Sequence, residues 1–404
     1  MSSWPGRVPC PAESRRKRRT SAPRPHAWKG EGSEDRQPRP DDNPRATAFE
    51  RSRKPNPMLI FHNPAHHAHD GRHEMFRGRL VPCHETPARL DYVMAELQRR
   101  PAGVLCLPGA VDLGLVRRVH APGYVDFLAT VWDDWVTLDA SNADLDVLPS
   151  VWPVRGFRAD VTPTNFAARV GRFSFDAGSP ITAGTWSAAS AGAACAIDAA
   201  RAVGSGATGA AMALTRPPGH HAGPDFFGGY CFLNNAALAA QALRDAGAAR
   251  VAVLDVDYHH GNGTQTIFDA RADVLTVSIH GDPMTEYPFF LGHADERGSG
   301  EGLGFNRNLP LPAGTGFAEW RTALQHALDE IARFGADALV VALGVDTFEG
   351  DPISRFLLKS DDYRRVGAAI AACRLPTVFT MEGGYAVAEV GVNVVNVLEG
   401  FSGT

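Results

Sequence analysis

The sequence predicts an α/β fold in a single domain: a mostly parallel sheet with helices on both faces. Three observations lead there. Short apolar runs alternate with Ala-rich stretches of helical length from residue 58 onward, and alternation of that kind builds parallel sheets. No internal repeat and no mid-chain linker interrupts residues 58–404. Apolar residues make up 44% of the 404 and charged residues 21%, which suits a soluble chain with a large buried core.

Taken in order, the first strand is expected at Met58–Phe61, an apolar run directly after a polar segment. Ala88–Arg99 follows as the first helix, and Thr185–Ala202 as a long Ala-rich one. The run Ala210–Leu214 is short and wholly apolar, as a strand buried on both faces should be. Asn235–Ala246 is the next helix, Arg250–Leu254 and Val274–Ile279 the next strands. Helix Phe317–Arg333, strand Ala338–Leu343, helix Ser360–Ala371 and strand Thr377–Met381 complete the alternation.

Residues 1–57 differ in kind. They are rich in Pro, Arg, Ser and Gly and carry 14 Lys/Arg against 7 Asp/Glu. Such a segment cannot bury enough apolar surface to offset its ordering entropy, so it is expected to be disordered. It reads as a solvated tail, or as a stretch upstream of a start at Met58. The run Arg15-Arg16-Lys17-Arg18-Arg19 has the form of a nuclear-localisation or nucleic-acid patch, but a solvated tail accounts for it and no nucleic-acid partner is expected. Taking that +7 from the chain total of −5 leaves −12 on residues 58–404, a field that favours approach of a cationic amine. No run of 18 apolar residues suggests a membrane span. Six cysteines at 10, 83, 106, 195, 231 and 373 show no paired spacing and read as reduced thiols of a cytoplasmic protein.

In open α/β sheets ligands sit beyond the carboxyl ends of the strands. Here Ala210–Leu214 runs into Arg216-Pro217-Pro218-Gly219-His220-His221, and Arg250–Leu254 into Asp255-Val256-Asp257-Tyr258-His259-His260. Ala338–Leu343 runs into Gly344-Val345-Asp346, and Thr377–Met381 into Glu382-Gly383-Gly384-Tyr385. Asp257 and His259 are two apart, so in an extended strand end both face one side and can share a metal. Asp346 completes three protein ligands and leaves positions open for water and substrate, as catalytic zinc sites do. Zinc, one ion per subunit, is the first choice; two carboxylates with one imidazole also suit ferrous iron. Each segment alone has a bland reading: Asp346 as a helix N-cap, His220-His221 as polar loop, Gly383-Gly384 as a turn. Four such segments after four strands do not.

The strings "RPPGHHA", "GGYCFLNNAALAA", "VLDVDYHHGNGTQ", "SIHGDP", "LGVDTFEGDPIS" and "MEGGY" closely resemble the arginase–deacetylase superfamily, in particular bacterial acetylpolyamine amidohydrolases and class II histone deacetylases. The likeness runs from about Met58 to the C-terminus and implies a sheet of about eight strands. The amidohydrolase branch is favoured by "GDPMTEYPFFLGHADERG" and "LVPCHETPARLDYV". The resemblance implies hydrolysis of an N-acetyl amide to acetate and a free amine. It makes Asp257, His259 and Asp346 the metal ligands and His221 the general base that later protonates the amine. His220 paired with Asp255 would stabilise charge, Asn262 would orient His221, and Tyr385 would hold the oxyanion. It also implies structural potassium, one ion at Asp255, Asp257, His259, Ser278 and Ile279, another at Phe268, Arg271, Val274 and Phe305. Gly229, Tyr230, Phe290, Gly383 and Gly384 would line a substrate tunnel.

One departure bears on substrate. Polyamine-cleaving relatives carry two glutamates where this chain, counted without gaps, has Ala167 and Gly178, and only Asp160 and Asp176 stand nearby as acids. A small acetylated amine is the expected substrate, with protein acetyl-lysine as alternative. A non-catalytic acyl-ligand binding protein and an arginase-like ureohydrolase are the competing classes. Relatives also dimerise through a loop near residues 62–80, which here holds His62, His66, His67, His69 and His73; a homodimer is expected, and the histidines read as solvated polar loop.

Overall fold

The computed structural model describes residues 56–404, and residues 57–404 form one compact unit. The basic run Arg15–Arg19 and nearly all of the expected disordered segment lie outside the described residues. Among the described residues ten strands occur: β1 (Leu59–His62), β2 (His73–Phe76), β3 (Arg79–Pro82), β4 (Val104–Cys106), β5 (Ala210–Leu214), β6 (Val251–Asp255), β7 (Val274–Gly281), β8 (Asn306–Leu311), β9 (Ala338–Leu343) and β10 (Thr377–Met381). The helices are α1 (Ala88–Arg99), α2 (Leu113–Val119), α3 (Pro122–Leu138), α4 (Phe166–Phe173), α5 (Thr185–Gly204), α6 (Asn235–Asp245), α7 (Asn262–Phe268), α8 (Phe317–Phe334), α9 (Asp362–Ala371) and α10 (Val387–Ser402).

Eight strands form one parallel sheet in the order β4-β1-β5-β10-β9-β6-β7-β8. β2 and β3 form a separate antiparallel hairpin. Alternate residues of the central strands, such as Met212, Leu214, Val341, Phe379 and Met381, enter a core shared with α1, α8, α9 and α10. The opposite face meets α5 and α6. These helices are Ala-rich, and small side chains let them lie close to a sheet whose own residues there include Ala211, Ala213 and Ala342. The two-faced burial explains why the strands read as unbroken apolar runs.

Every strand and helix expected from the sequence is present, with ends shifted by one or two residues. The predicted Ser360–Ala371 helix starts at Asp362, and the Val274–Ile279 strand runs on to Gly281. Several elements went unpredicted. α10 carries six valines among its 16 residues, a composition that favours strands; packing against α1 and α9 overrides it. α7 has only seven residues. The His-rich segment near 62–80 is structured: it forms a 3-10 turn at His66–Ala68 and most of the β2–β3 hairpin. Among the described residues no helix is long and apolar enough to cross a membrane.

Candidate active site

The four strands that end in titratable segments, β5, β10, β9 and β6, are neighbours at the middle of the sheet. Their following loops therefore meet. After β6 the chain turns twice, with Asp255 Oδ1 accepting from the Asp257 N–H (3.1 Å) and Asp257 Oδ1 from the His259 N–H (2.8 Å). Asp257 and His259 converge because of these side-chain-closed turns, which corrects the expectation of an extended strand end. Tyr258 between them is fully buried in the core.

Asp346 follows β9 and fixes the same turn, its Oδ1 accepting from the Tyr258 N–H at 2.7 Å. Its Oδ2 lies 2.9 Å from His259 Nδ1, which is 3.4 Å from Asp257 Oδ1. Ligand atoms of Asp257, His259 and Asp346 all fall within 4.8 Å of one another. Burial and the Asp257 charge push Asp346 up to about 8. Two crowded, buried carboxylates facing one imidazole are relieved by a cation, so the donor set fits a divalent metal. A Cβ on Gly344 would come within 2.0 Å of Asp257 Oδ2, and one on Gly383 within 2.6 Å. Glycine is required there so that backbone can approach the carboxylates.

His220 and His221 stand beside this cluster with different partners. His220 Nδ1 lies 2.9 Å from Asp255 Oδ2, while Nε2 is 3.8 Å from Asp257 Oδ1. Burial opposes charge on His220, yet Asp257 and Asp255 together raise it to about 10. His221 Nδ1 lies 2.7 Å from Asn262 Oδ1. An amide oxygen only accepts, so Nδ1 carries the proton and Nε2 keeps its lone pair. Burial, then the charges of His220 and His259, depress His221 well below the usual histidine range. One ring is thus held charged and its neighbour neutral.

Tyr385 is placed by residues to which the sequence reading gave no role. Its backbone N–H donates to Asp351 Oδ2 at 2.7 Å. Arg89, fully buried in α1, holds its guanidinium 4.7 Å from the Tyr385 ring centroid. It donates to the carbonyls of Gly384 (2.7 Å) and Glu382 and to Glu85 (2.8 Å). Glu382 is fully buried; its Oε2 accepts from the N–H groups of Gly219 (2.6 Å) and His220 (3.0 Å), and its Oε1 from Thr380 (2.9 Å). It joins the loop after β10 to the loop after β5. A buried acid directly after a strand was the available signal for Glu382; nothing local marks Arg89 or Asp351.

A cavity of about 900 Å³ opens onto His221, His259, Asn262 and Tyr385. Its aromatic wall includes Tyr230, Phe175 and Tyr287, the last two stacked at 5.9 Å, with Tyr287 edge-on to His221 at 5.0 Å. Gly229 has φ +54°, and a Cβ there would lie 2.2 Å from the His221 ring, so the wall closes on the imidazole only with glycine. Two tunnel expectations need correction, those at Gly383 and Gly384. Phe290 is 87% exposed and belongs to the mouth. Gly383 and Gly384 are absent from the lining; Gly383 packs behind the carboxylates instead.

Asp176 lines the cavity, but its oxygens already accept from Gly178, Ser179, Gly229 and Tyr287. It braces the wall and has little capacity left for an amine. Asp160 pairs with Arg158 on the surface. The acid that sequence reasoning missed is Glu74 of β2, 1% exposed, accepting from Tyr230 Oη at 2.8 Å. Gly178 lines the cavity and Ala167 does not. Of the residues expected around potassium, Asp255 and Ser278 pair across β6 and β7. Ile279 lies one residue on, and Phe268, Arg271 and Val274 bracket the link from α7 to β7.

Comparison with known proteins accords with this geometry. The histone deacetylase domain model matches residues 83–401. The chain is 53% identical over 346 residues to acetylpolyamine amidohydrolase 2 of Pseudomonas aeruginosa, covering 86% of this chain and 99% of that protein. It is 45% identical over 346 residues to the acetylpolyamine amidohydrolase of Mycoplana ramosa, covering 86% of this chain and all of that one. The crystal structure of an acetylpolyamine aminohydrolase from Burkholderia pseudomallei superposes with a TM-score of 0.80 at 42% identity, over 85% of this chain and 98% of the other. The chain belongs to the histone deacetylase domain family of the arginase–deacetylase superfamily, a family of hydrolytic deacetylases.

Proposed function

We propose that this protein hydrolyses the N-acetyl amide of a small amine, releasing acetate and the free amine, with zinc held by Asp257, His259 and Asp346. A divalent cation there supplies a Lewis acid that polarises the acyl carbonyl and acidifies a water. The observation that carries the reading is the unequal histidine pair. His221, neutral with Nε2 free, takes the proton from the attacking water and delivers it to the leaving nitrogen. His220, charged against Asp255, adds a fixed positive field where negative charge develops. Tyr385 donates its phenol O–H to the oxyanion as the carbonyl carbon becomes tetrahedral. Asn262 keeps His221 in the productive tautomer, and the walls of Phe175, Tyr230 and Tyr287 exclude bulk water from the reacting amide.

The substrate we favour is an acetylated diamine such as acetylputrescine or acetylcadaverine. An aromatic slot suits a methylene chain, and relatives at 42–53% identity carry the name acetylpolyamine amidohydrolase. Potassium as a structural ion and a cytoplasmic location accompany this reading. Turnover of acetylputrescine and acetylcadaverine is to be compared with that of an acetyl-lysine peptide on zinc-loaded protein, beside the Asp346→Ala variant. Faster turnover of the diamines is expected. Faster turnover of the peptide would make the protein a protein deacetylase, and binding without turnover would make it an acyl-ligand sensor.

A further inference from the structure

The His-rich segment, unused by the catalytic reading, folds against the start of α1 and meets a carboxylate there. His66 and His67 are adjacent in their 3-10 turn, with ring centroids 4.1 Å apart and planes tilted by 41°. Asp91 lies in the first turn of α1. Its Oδ1 is 3.0 Å from His67 Nε2 and 3.6 Å from His66 Nε2, and the three ligand atoms lie within 4.8 Å of one another. Two ligands on one tetrahedral ion, each about 2.0–2.2 Å from it, stand roughly 3.3–3.5 Å apart. The two measured separations bracket that value. The longer exceeds an ordinary hydrogen bond, so Asp91 satisfies only His67 directly.

His66 itself is 9% exposed, and its Nδ1 has no hydrogen-bond partner. Burial, then its proximity to His67, pushes His66 down to about 4, so the ring is neutral at pH 7 and in the form that binds metals. The side chains of His67 and Asp91 are 65% and 48% exposed, which leaves the remaining coordination positions open to solvent. On the inner side, the His66 carbonyl accepts from the buried guanidinium of Arg216, which fixes the turn against the base of the loop leading to His220.

We propose that His66, His67 and Asp91 form a second, solvent-open metal site that takes a divalent transition cation with affinity for imidazole, such as zinc, nickel or copper. Two nitrogens and one oxygen disfavour magnesium and calcium, which prefer all-oxygen sites. The site is separate from the catalytic ligands, so it stands whether or not the catalytic reading does.

The test uses the full chain without an affinity tag, its tight site first filled with zinc, and then titrated with cobalt(II) while visible ligand-field bands and bound metal are measured. One further equivalent is expected in the wild type. His67→Ala and Asp91→Ala, both at exposed positions that should leave folding intact, are expected to keep the first equivalent and their deacetylation. They should weaken the further one by at least the roughly 10- to 100-fold that loss of a supporting partner costs a metal site. In Asp346→Ala, the bands of the second site should persist alone. No further equivalent in the wild type overturns the proposal. So does an equivalent retained by both His67→Ala and Asp91→Ala, which would mark an adventitious ion elsewhere on the surface.

Discussion

Glu382 and His220 are joined by a hydrogen bond in which the carboxylate Oε2 accepts the histidine backbone N–H at 3.0 Å. The same oxygen also takes the Gly219 N–H, so one buried side chain sets the separation between the two-histidine loop and the loop that carries Tyr385. Alanine at 382 leaves two buried N–H groups unpaired, at roughly 1–3 kcal/mol each. A shift of about 1 Å between the loops can lower turnover on the order of 100-fold. Glutamine can still accept both bonds and donate to Thr380. We expect Glu382→Ala to lose kcat with KM little changed, and Glu382→Gln to restore most of it. Equal activity in the two variants, each measured against an active wild type, removes the positioning role.

Tyr385 faces the cavity with its backbone pinned by Asp351, so the phenol is the variable that matters. Tyr385→Phe should cost about 100- to 1,000-fold in kcat, as the loss of one oxyanion donor does, while the protein still purifies with its metal. Unchanged turnover excludes Tyr385 as that donor.

Asp346 touches both the His259 ring and the Tyr258 backbone. Asp346→Ala should abolish retention of the tight metal through dialysis, read by elemental analysis. In the wild type, chelation should lower the melting temperature and zinc should restore it, because an ion that binds only the folded state stabilises it. A fully metallated Asp346→Ala would falsify the ligand assignment.

His120 reports on acid stability away from the metal. Its Nδ1 lies 2.7 Å from the Gly223 carbonyl, and its Nε2 accepts the Asn234 N–H at 3.0 Å, a pair of bonds that only the neutral ring makes. Burial lowers it to about 4, opposed by the Gly223 bond. Between about pH 6.5 and 4 the unfolded chain therefore binds a proton that the folded one does not. This contribution is complete above pH 6.5 and is lost as pH falls through that window, on the order of 3 kcal/mol. Urea unfolding at several pH values should show a shallower acid loss in His120→Gln than in the wild type. Identical slopes would assign the acid sensitivity to other buried histidines such as His69 and His280.

The strand runs and the polar segments after them were legible because both are local. A parallel strand buried on two faces must be apolar throughout, and the turn after it carries whatever chemistry the sheet edge offers. Hence Asp257, His259, Asp346, His220, His221 and Tyr385 could be picked out by type and position. Only the tertiary structure brought β5, β10, β9 and β6 side by side, because strand order depends on contacts between residues 38 to 167 positions apart. The same applies to Arg89, Asp351 and Glu74, and to Asp91 beside the histidines. Gly383 and Gly384 show the converse: a residue's type does not say which side of a wall it faces, since that is decided by the packing of neighbours distant in the chain.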